Sequence, residues 1–439
     1  MKKLLFGVAI LPLLSIAQEN TLVSNAQGKG IAFVHGMTWD QVLLRAKQEN
    51  KYIFIDFYAT WCGPCKWMDR QVYTNDTIGN LVNERFISVK LQMDSTASDD
   101  ASVKELHKVS HDLGLQYRIK AYPSFLFLAP DGEPVHKAAG AADVNGFMKI
   151  IEAATDPDRQ FYKRLWSYQH GNMTIEMIRS LAYEAAALKE DSLASSIARD
   201  YMRNYLLKSA NASSLWTKEN IEFVNKYKNT LNGRDRLFRL YFDNRNLIDS
   251  VTGSKNYSGQ LINFIVYRDE VDPSIKRGMR DKKEPNWAKI EKSIKRNYDK
   301  SFVEKNVVDG KANFFKASEN WTKYVTSFIR QMELAGIDHW SNEGVGAIIL
   351  NNDAFEVFKY SNDKKELEEA LSWVDKALSV ESNMTPLEMD TKANLLYKLG
   401  RTKEGMALEE RSHILAPGDK EIEDAYEKMK AGEPTWPTN

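Results

Sequence analysis

Seven consecutive residues, Tyr52-Ile53-Phe54-Ile55-Asp56-Phe57-Tyr58, form a nearly unbroken run of β-branched and aromatic side chains. A strand with one wet face alternates apolar and polar residues, so a run without alternation predicts a strand covered on both faces. Such a strand belongs at the centre of a sheet with helices on either side. Its one charged member, Asp56, is costly to bury unless it is paired or functional. A few residues later comes Cys62-Gly63-Pro64-Cys65, and Lys66 to Tyr73 continues in helical style. The two cysteines therefore sit where a central strand turns into a helix.

Around this unit the pattern predicts a mixed sheet. Thr38 to Asn50 carries Trp39, Val42, Leu43 and Ala46 at helical spacing, with Thr38 as N-cap. Ile87 to Leu91 and Ser124 to Leu128 are short strands. Pro130-Asp131-Gly132 is a turn leading into a fourth strand, Val135 to Ala138, and Asp143 to Ala154 is a closing helix. Strand and helix alternate and then strands meet in a hairpin, which predicts an α/β domain with helices on both faces of a mixed sheet. From Asp156 onward the segments are long, amphipathic and helical, for example 173–186, 192–207, 218–227, 287–298 and 320–334. Between Glu343 and Met429 two helical pairs, 354–378 and 393–415, recur at a period of about forty residues. This suits tetratricopeptide-like hairpins and equally an ordinary antiparallel bundle. The expected division is 1–17 signal peptide, 18–36 flexible lead or edge segment, 37–155 α/β domain, 156–340 helical domain, 341–430 helical hairpins and 431–439 tail.

The chain has only two cysteines among 439 residues. No structural disulfide framework is possible, which leaves the pair free for chemistry. Attachment of c-type haem needs His after the second cysteine, and Lys66 stands there; half of a zinc site would need two further ligands. Thiol–disulfide exchange needs a thiolate and a resolving thiol. A Cys-x-x-Cys pair at a helix N-terminus supplies both, because free amides and the helix dipole stabilise the anion at Cys62 while Cys65 lies one turn on. Gly63-Pro64 permits the tight turn and starts the helix with a fixed φ.

Phe57-Tyr58-Ala59-Thr60-Trp61-Cys62-Gly63-Pro64-Cys65-Lys66 resembles the active site of the thioredoxin family. The resemblance extends over Thr38 to Ala154 and implies a thioredoxin fold followed by an all-α region. It implies roles residue by residue: Cys62 attacks, Cys65 resolves, Asp56 matches the buried acid that moves the proton of the buried cysteine, and Lys90 matches the lysine facing that acid. Tyr122-Pro123-Ser124 matches the cis-proline loop that holds a substrate backbone, and Gly140 lines the same groove. Trp61, Gly63, Pro64 and Tyr122 would contact the substrate. Cys65-Lys66-Trp67-Met68-Asp69 with Val72-Tyr73 is similar to the exported group that includes the C-terminal domain of the bacterial electron transporter DsbD. Two departures, a longer segment Ser95 to His111 and Tyr122 in place of a small or aliphatic residue, lie where substrate approaches, so substrate preference does not carry over. The implied partners are protein disulfides and a DsbD-like thiol electron donor, and the chemistry requires no metal or organic cofactor.

Met1-Lys2-Lys3, the apolar stretch Leu4 to Leu14 and the small residues Ser15 and Ala17 predict a cleaved secretory signal and a periplasmic or secreted protein. The stretch, broken by Pro12, is shorter than the ~20 residues that span a bilayer, so stable membrane insertion is not expected. Lys+Arg and Asp+Glu balance at 60 each, which implies no polyanionic partner. Lys276 to Lys300 is basic with Trp287 and Tyr298 interleaved, yet export and charge balance favour a solvated helical face over nucleic-acid binding. His107 and His111 share a helical face as a surface pair, and Asp94, Asp99, Asp100 and Asp112 are expected in a solvated loop rather than at a cation. Sequons at Asn75, Asn211, Asn256, Asn320 and Asn383 are expected by chance. The rival to an enzyme is a scaffold whose helical region recognises a partner while the dithiol gates docking.

Overall fold

The computed structural model describes residues 30–208, 215–336, 345–380 and 385–437. The predicted signal 1–17, the start of the lead, the sequons at Asn211 and Asn383 and the end of the tail lie outside the described residues. The chain divides into two compact units, Met1–Tyr201 and Met202–Asn439.

The first unit is built on a four-stranded sheet in the order β2-β1-β3-β4. Helix α1 (Trp39–Glu49) starts at a reciprocal cap between Thr38 and Gln41 and stops at Asn50, which takes a left-handed conformation. It delivers β1 (Tyr52–Tyr58), then α2 (Gly63–Gln71), α3 (Asp76–Arg85), β2 (Phe86–Gln92), α4 (Ala101–Gln116), β3 (Ser124–Leu128), β4 (Pro134–Ala139) and α5 (Val144–Thr155). Strand β1 pairs parallel with β2, Tyr52 opposite Phe86 through Tyr58 opposite Gln92, and antiparallel with β3. Strands β3 and β4 form the hairpin around Gly132. Phe33 makes a single parallel bridge to Ser88, so the described end of the lead is an edge segment beside β2.

The unbroken run in β1 is explained by two cores. Phe54 packs with Val72, Tyr73, Ile78, Phe125, Phe127 and Phe147 on one face, while Ile53, Ile55 and Phe57 pack with Val42, Ala46, Leu91 and Leu126 on the other. Phe54 stacks on Phe127 at 5.3 Å between ring centroids, and burying each such ring is worth roughly 1.5–3 kcal/mol. By the two-residue period of a strand, Asp56 faces the same side as Phe54. Helix α3 was not foreseen: Asn75 restarts the helix by accepting from the amides of Thr77 and Ile78. Its Gly79 is packed against the lead, since a Cβ there would stand 2.3 Å from the Gly30 carbonyl oxygen. The segment expected as a long connection after Ser95 contains α4, capped by Asp100.

Three more helices, α6 (Phe161–Gln169), α7 (Ile175–Ala187) and α8 (Asp191–Asp200), complete the first unit. Helix α6 lies on β4, where the amide of Phe161 donates to buried His136 Nδ1 at 3.1 Å. Burial holds that imidazole neutral, with its pKa lowered to about 4.

The described residues of the second unit are helical. Its hairpins pair Val345–Tyr360 with Lys364–Val380 and Pro386–Lys398 with Thr402–Leu415, followed by Lys420–Ala431. Asp390 and Glu409 are buried close to each other between two of these helices, and burial pushes both carboxyls up. Two π-helical turns, Tyr201–Leu206 and Tyr267–Val271, interrupt longer helical runs. Among the described residues no helix is long and apolar enough to cross a membrane.

Candidate active site at the dithiol

Cys62 is the N-cap of α2. Its extended backbone (φ −74°, ψ 104°) aims Sγ back at the first turn, where it accepts from the amide of Cys65 at 3.1 Å. Pro64 stands in the first turn, where its missing N–H costs nothing and its fixed φ suits the helix. Cys62 and Cys65 are joined as a disulfide. Both are buried at 3% exposure, in a cluster with Ala59 against which Tyr58 and Tyr122 pack. Trp61 is 71% exposed and meets Tyr122 edge-on at 5.9 Å. The disulfide is thus walled on one side by an aromatic pair that faces solvent.

The Tyr122–Pro123 peptide is cis. Ser124, the first residue of β3, ties the loop by donating from Oγ to the Ala121 carbonyl at 2.7 Å, and the Gly140 amide donates to the Pro123 carbonyl at 2.8 Å. Gly140 has φ 95° with open space where a Cβ would stand, so glycine is required there by the backbone and not by crowding.

Asp56 is 1% exposed and lies between Lys90 on β2 and Phe125 on β3. Burial pushes its pKa up to about 7; the Lys90 ammonium, 3.8 Å from Oδ2, opposes the rise and Asp69 adds to it. The Tyr73 hydroxyl is a buried neighbour of Asp56, and burial together with that carboxyl raises its pKa. Such a carboxyl is poised to take up or release a proton near neutrality. Lys90 is shared. Its Nζ is hydrogen-bonded to Asp69 on α2, closer than it is to Asp56, and lies 4.8 Å from the Tyr58 ring centroid. Asp69 and Tyr73 were missed as site residues. The signal for Asp69 was present, because it follows Cys65 by one helical turn and so shares its face.

The acidic segment after β2 departs from expectation. Asp99 is not in a solvated loop: it is 8% exposed and accepts from the Thr96 amide and hydroxyl and from Gln92 Nε2. Those bonds, the Thr96 amide first, lower its pKa to about 2. His107 Nε2 stands 3.1 Å from Asp99 Oδ2, so it is the partner of this turn and not half of a surface pair, whereas His111 is exposed. Asp94 accepts from the amide of Thr60 at 2.9 Å and from its hydroxyl, which fixes the segment just before Trp61 and Cys62. Among the described residues no group of three or more His, Cys, Asp or Glu is arranged to hold a metal ion.

The loop leading to Pro123 is also held from the turn between α7 and α8, at Lys189 and Glu190. Lys137 on β4, its side chain 1% exposed, donates to Glu190 at 2.9 Å and to the Tyr117 carbonyl at 2.7 Å. Lys120 donates to the Lys189 carbonyl at 3.0 Å, and Arg118, at positive φ, reaches Glu190 at 3.4 Å. No sequence pattern announces this clamp, because its members lie far apart in the chain. Removing Glu190 strands a buried ammonium, so Glu190→Gln should destabilise the first unit by about 3 kcal/mol. Arg118→Ala, which removes an exposed guanidinium and leaves Glu190 its Lys137 partner, should cost less than about 1 kcal/mol. Denaturant titrations of the two variants test this, and equal effects would rule the clamp out.

Residues 35–130 match the family described as thioredoxin-like. The thiol:disulfide interchange protein DsbD 2 of Pseudomonas aeruginosa is 31% identical over 120 residues, 27% of this chain and 18% of that protein. Chloroplastic thioredoxin Y of Oryza sativa subsp. japonica is 27% identical over 119 residues, 27% of this chain and 58% of that one. A solution structure described as that of a disulphide isomerase from Bacteroides thetaiotaomicron shares 30% identity, covering 30% of this chain and 98% of its own, with a TM-score of 0.25. The chain thus spans less than two thirds of the length of these two relatives, and the likeness is one of domains.

Proposed function

We infer, from the membership of residues 35–130 in the thioredoxin-like family, that this chain is an exported thiol:disulfide oxidoreductase that reduces protein disulfides. The observation that carries this reading is the disulfide at the first turn of α2, reached by a strand whose buried carboxyl has its pKa raised to about 7.

In the reduced enzyme the Cys62 thiolate, favoured by the Cys65 amide and the α2 dipole, attacks one sulfur of a substrate disulfide. One substrate thiolate leaves, and Cys62 is bonded to the other substrate sulfur. Cys65 then gives its proton to Asp56 and attacks Cys62 Sγ, which expels the second substrate thiolate and restores the disulfide seen here. Two electrons pass to the substrate, and a partner dithiol, of the DsbD-like kind, returns them. Lys90, shared between Asp56 and Asp69, sets how readily Asp56 accepts the proton. The loop of Tyr122 and Pro123, with Gly140, would hold the substrate backbone beside the exposed Trp61.

Export rests on Lys2-Lys3 and the apolar stretch Leu4 to Leu14, and places the reaction in the periplasm or outside the cell. The helical hairpins from Val345 to Leu415, if tetratricopeptide-like, would present the client. The direction is testable. A reduction potential near that of thioredoxin, about −270 mV, is expected; a value near about −120 mV would make the protein an oxidant and overturn the reductant reading.

A further inference from the structure

The second unit carries a basic cleft that the redox reading does not use. Two cavities, of about 750 and 500 Å³, adjoin along Asp269, Glu270 and Pro273 and form one open trough. Its floor is the π-helical turn Tyr267–Val271, which supplies Asp269 and Glu270. Its walls come from the helices Asp272–Asp281 and Trp287–Asn297 and from the turn at Asn232 to Arg234. Insertions of this π kind recur at functional sites.

Charge in the trough is predominantly positive once internal ion pairs are removed, Glu270 being the lining carboxylate held by neutral donors alone. Four carboxylates line it, and each is engaged within the protein. Asp269 takes Arg268 and the Gly233 amide, and Glu270 takes Ser293 Oγ and Asn297 Nδ2. Asp281 takes Arg280, and Glu284 takes Lys323 and the Trp287 indole. Against them stand Arg234, Arg239, Arg277, Lys283, Lys289 and Arg296, none with a carboxylate oxygen within 4.0 Å among the described residues. Arg239 and Arg296 each spend one N–H on Asn297, and the Arg239 guanidinium also lies over the Tyr298 ring, 5.1 Å from its centroid. The chain as a whole has a formal net charge of zero, so this excess is a property of the place and not of composition.

A surface rich in unspent donors, with its acceptors already used, selects a ligand bearing several anionic oxygens. The cations run the length of an open trough, so a single compact anion would leave most of them unused. A single nucleic-acid strand stacks its bases on ring faces. The lining ring, Tyr298, already has Phe238, Phe242 and Arg239 around it. An extended segment with carboxylates at intervals uses the whole row. We propose that this cleft binds an acidic peptide segment of a partner protein. The proposal stands independently of the dithiol chemistry.

The test uses the full chain and a fluorescent decapeptide of alternating Glu and Ser, with the Gln and Ser analogue as control. Anisotropy at low salt should show the Glu peptide binding at least about tenfold tighter than the Gln peptide, and that preference should shrink as the Debye length falls from about 10 Å at 0.1 M to about 3 Å at 1 M salt. Arg234→Gln, Lys289→Gln and Arg296→Gln change exposed side chains. Together they should weaken binding about tenfold or more, and singly about threefold each, while disulfide reduction stays at the level of the unaltered chain. Should the triple variant fail to fold, the single variants decide. Equal binding of the two peptides, undiminished binding in the variants, or displacement of the peptide by pyrophosphate or an oligonucleotide at concentrations below the peptide's own Kd would overturn the proposal.

Discussion

Cys62→Ser should lower the rate of protein-disulfide reduction on the order of 10³-fold or more, because it removes the sulfur that forms the covalent intermediate. Cys65→Ser should also abolish turnover, but with a different result: Cys62 still attacks, nothing expels it, and mixed disulfides with substrate accumulate on non-reducing gels. The asymmetry follows from position. Cys62 is the N-cap, its Sγ already accepts an amide hydrogen bond at 3.1 Å, and the same bond stabilises a thiolate. Cys65 lies inside the helix, and in the proposed reaction its proton passes to Asp56. If Cys62→Ser retained a tenth of the activity, or if Cys62→Ser trapped substrate instead of Cys65→Ser, the assigned order of attack would be wrong. The trapped species would also name the clients.

Asp56→Asn should make the first unit more stable above neutral pH while slowing the enzyme. A free aspartate titrates near pH 3.9, whereas burial, only partly offset by Lys90, moves Asp56 to about 7. Between those values the native state keeps a proton that the unfolded chain has released. Stability therefore falls as pH rises from about 4 to about 7, by roughly 1.4 kcal/mol per unit, and is level above that. An amide does not titrate, so the variant escapes the loss. Its advantage over the unaltered oxidised protein should be absent near pH 4 and reach a few kcal/mol at pH 8. Denaturant titrations of the oxidised forms at the two pH values measure it; a difference independent of pH would show that Asp56 does not titrate in this range. Turnover should fall at the step in which Cys65 loses its proton, so the resolving step of a preformed mixed disulfide should slow more than its formation.

Both results concern residues that the sequence singled out, and the reason is local. The strand, the acid within it and the dithiol after it occupy Tyr52 to Cys65, where each residue's environment follows from its immediate neighbours. The four strands and the α1, α2 and α5 segments were legible in the same way, by period and by caps such as Thr38. Helix α3 was not, because Asn75 restarts the chain after α2 with only a short break. The acidic turn at Asp94 and Asp99 was misjudged since its composition is that of a wet loop, and only the folded chain shows the amides and hydroxyls of Thr60 and Thr96 closing on the carboxylates.

The remainder of the site was decided by contacts between distant segments. Lys90 faces Asp56 because two strands pair in register, but its sharing with Asp69 needs α2 laid across that strand pair. The clamp from Glu190 to Lys137 joins residues that no local pattern relates. The basic cleft shows the same division. Its arginines and lysines were visible as a charged stretch, and a charged stretch on a helix is usually solvated. Which of them keep free donors depends on where the carboxylates of other segments end up. Sequence alone thus determined the dithiol and its local setting, because strand period, helix start and the Cys-x-x-Cys spacing are short-range properties of the chain. Tertiary structure decided the electrostatics around that chemistry, because burial and charge pairing depend on which distant side chains the fold brings together.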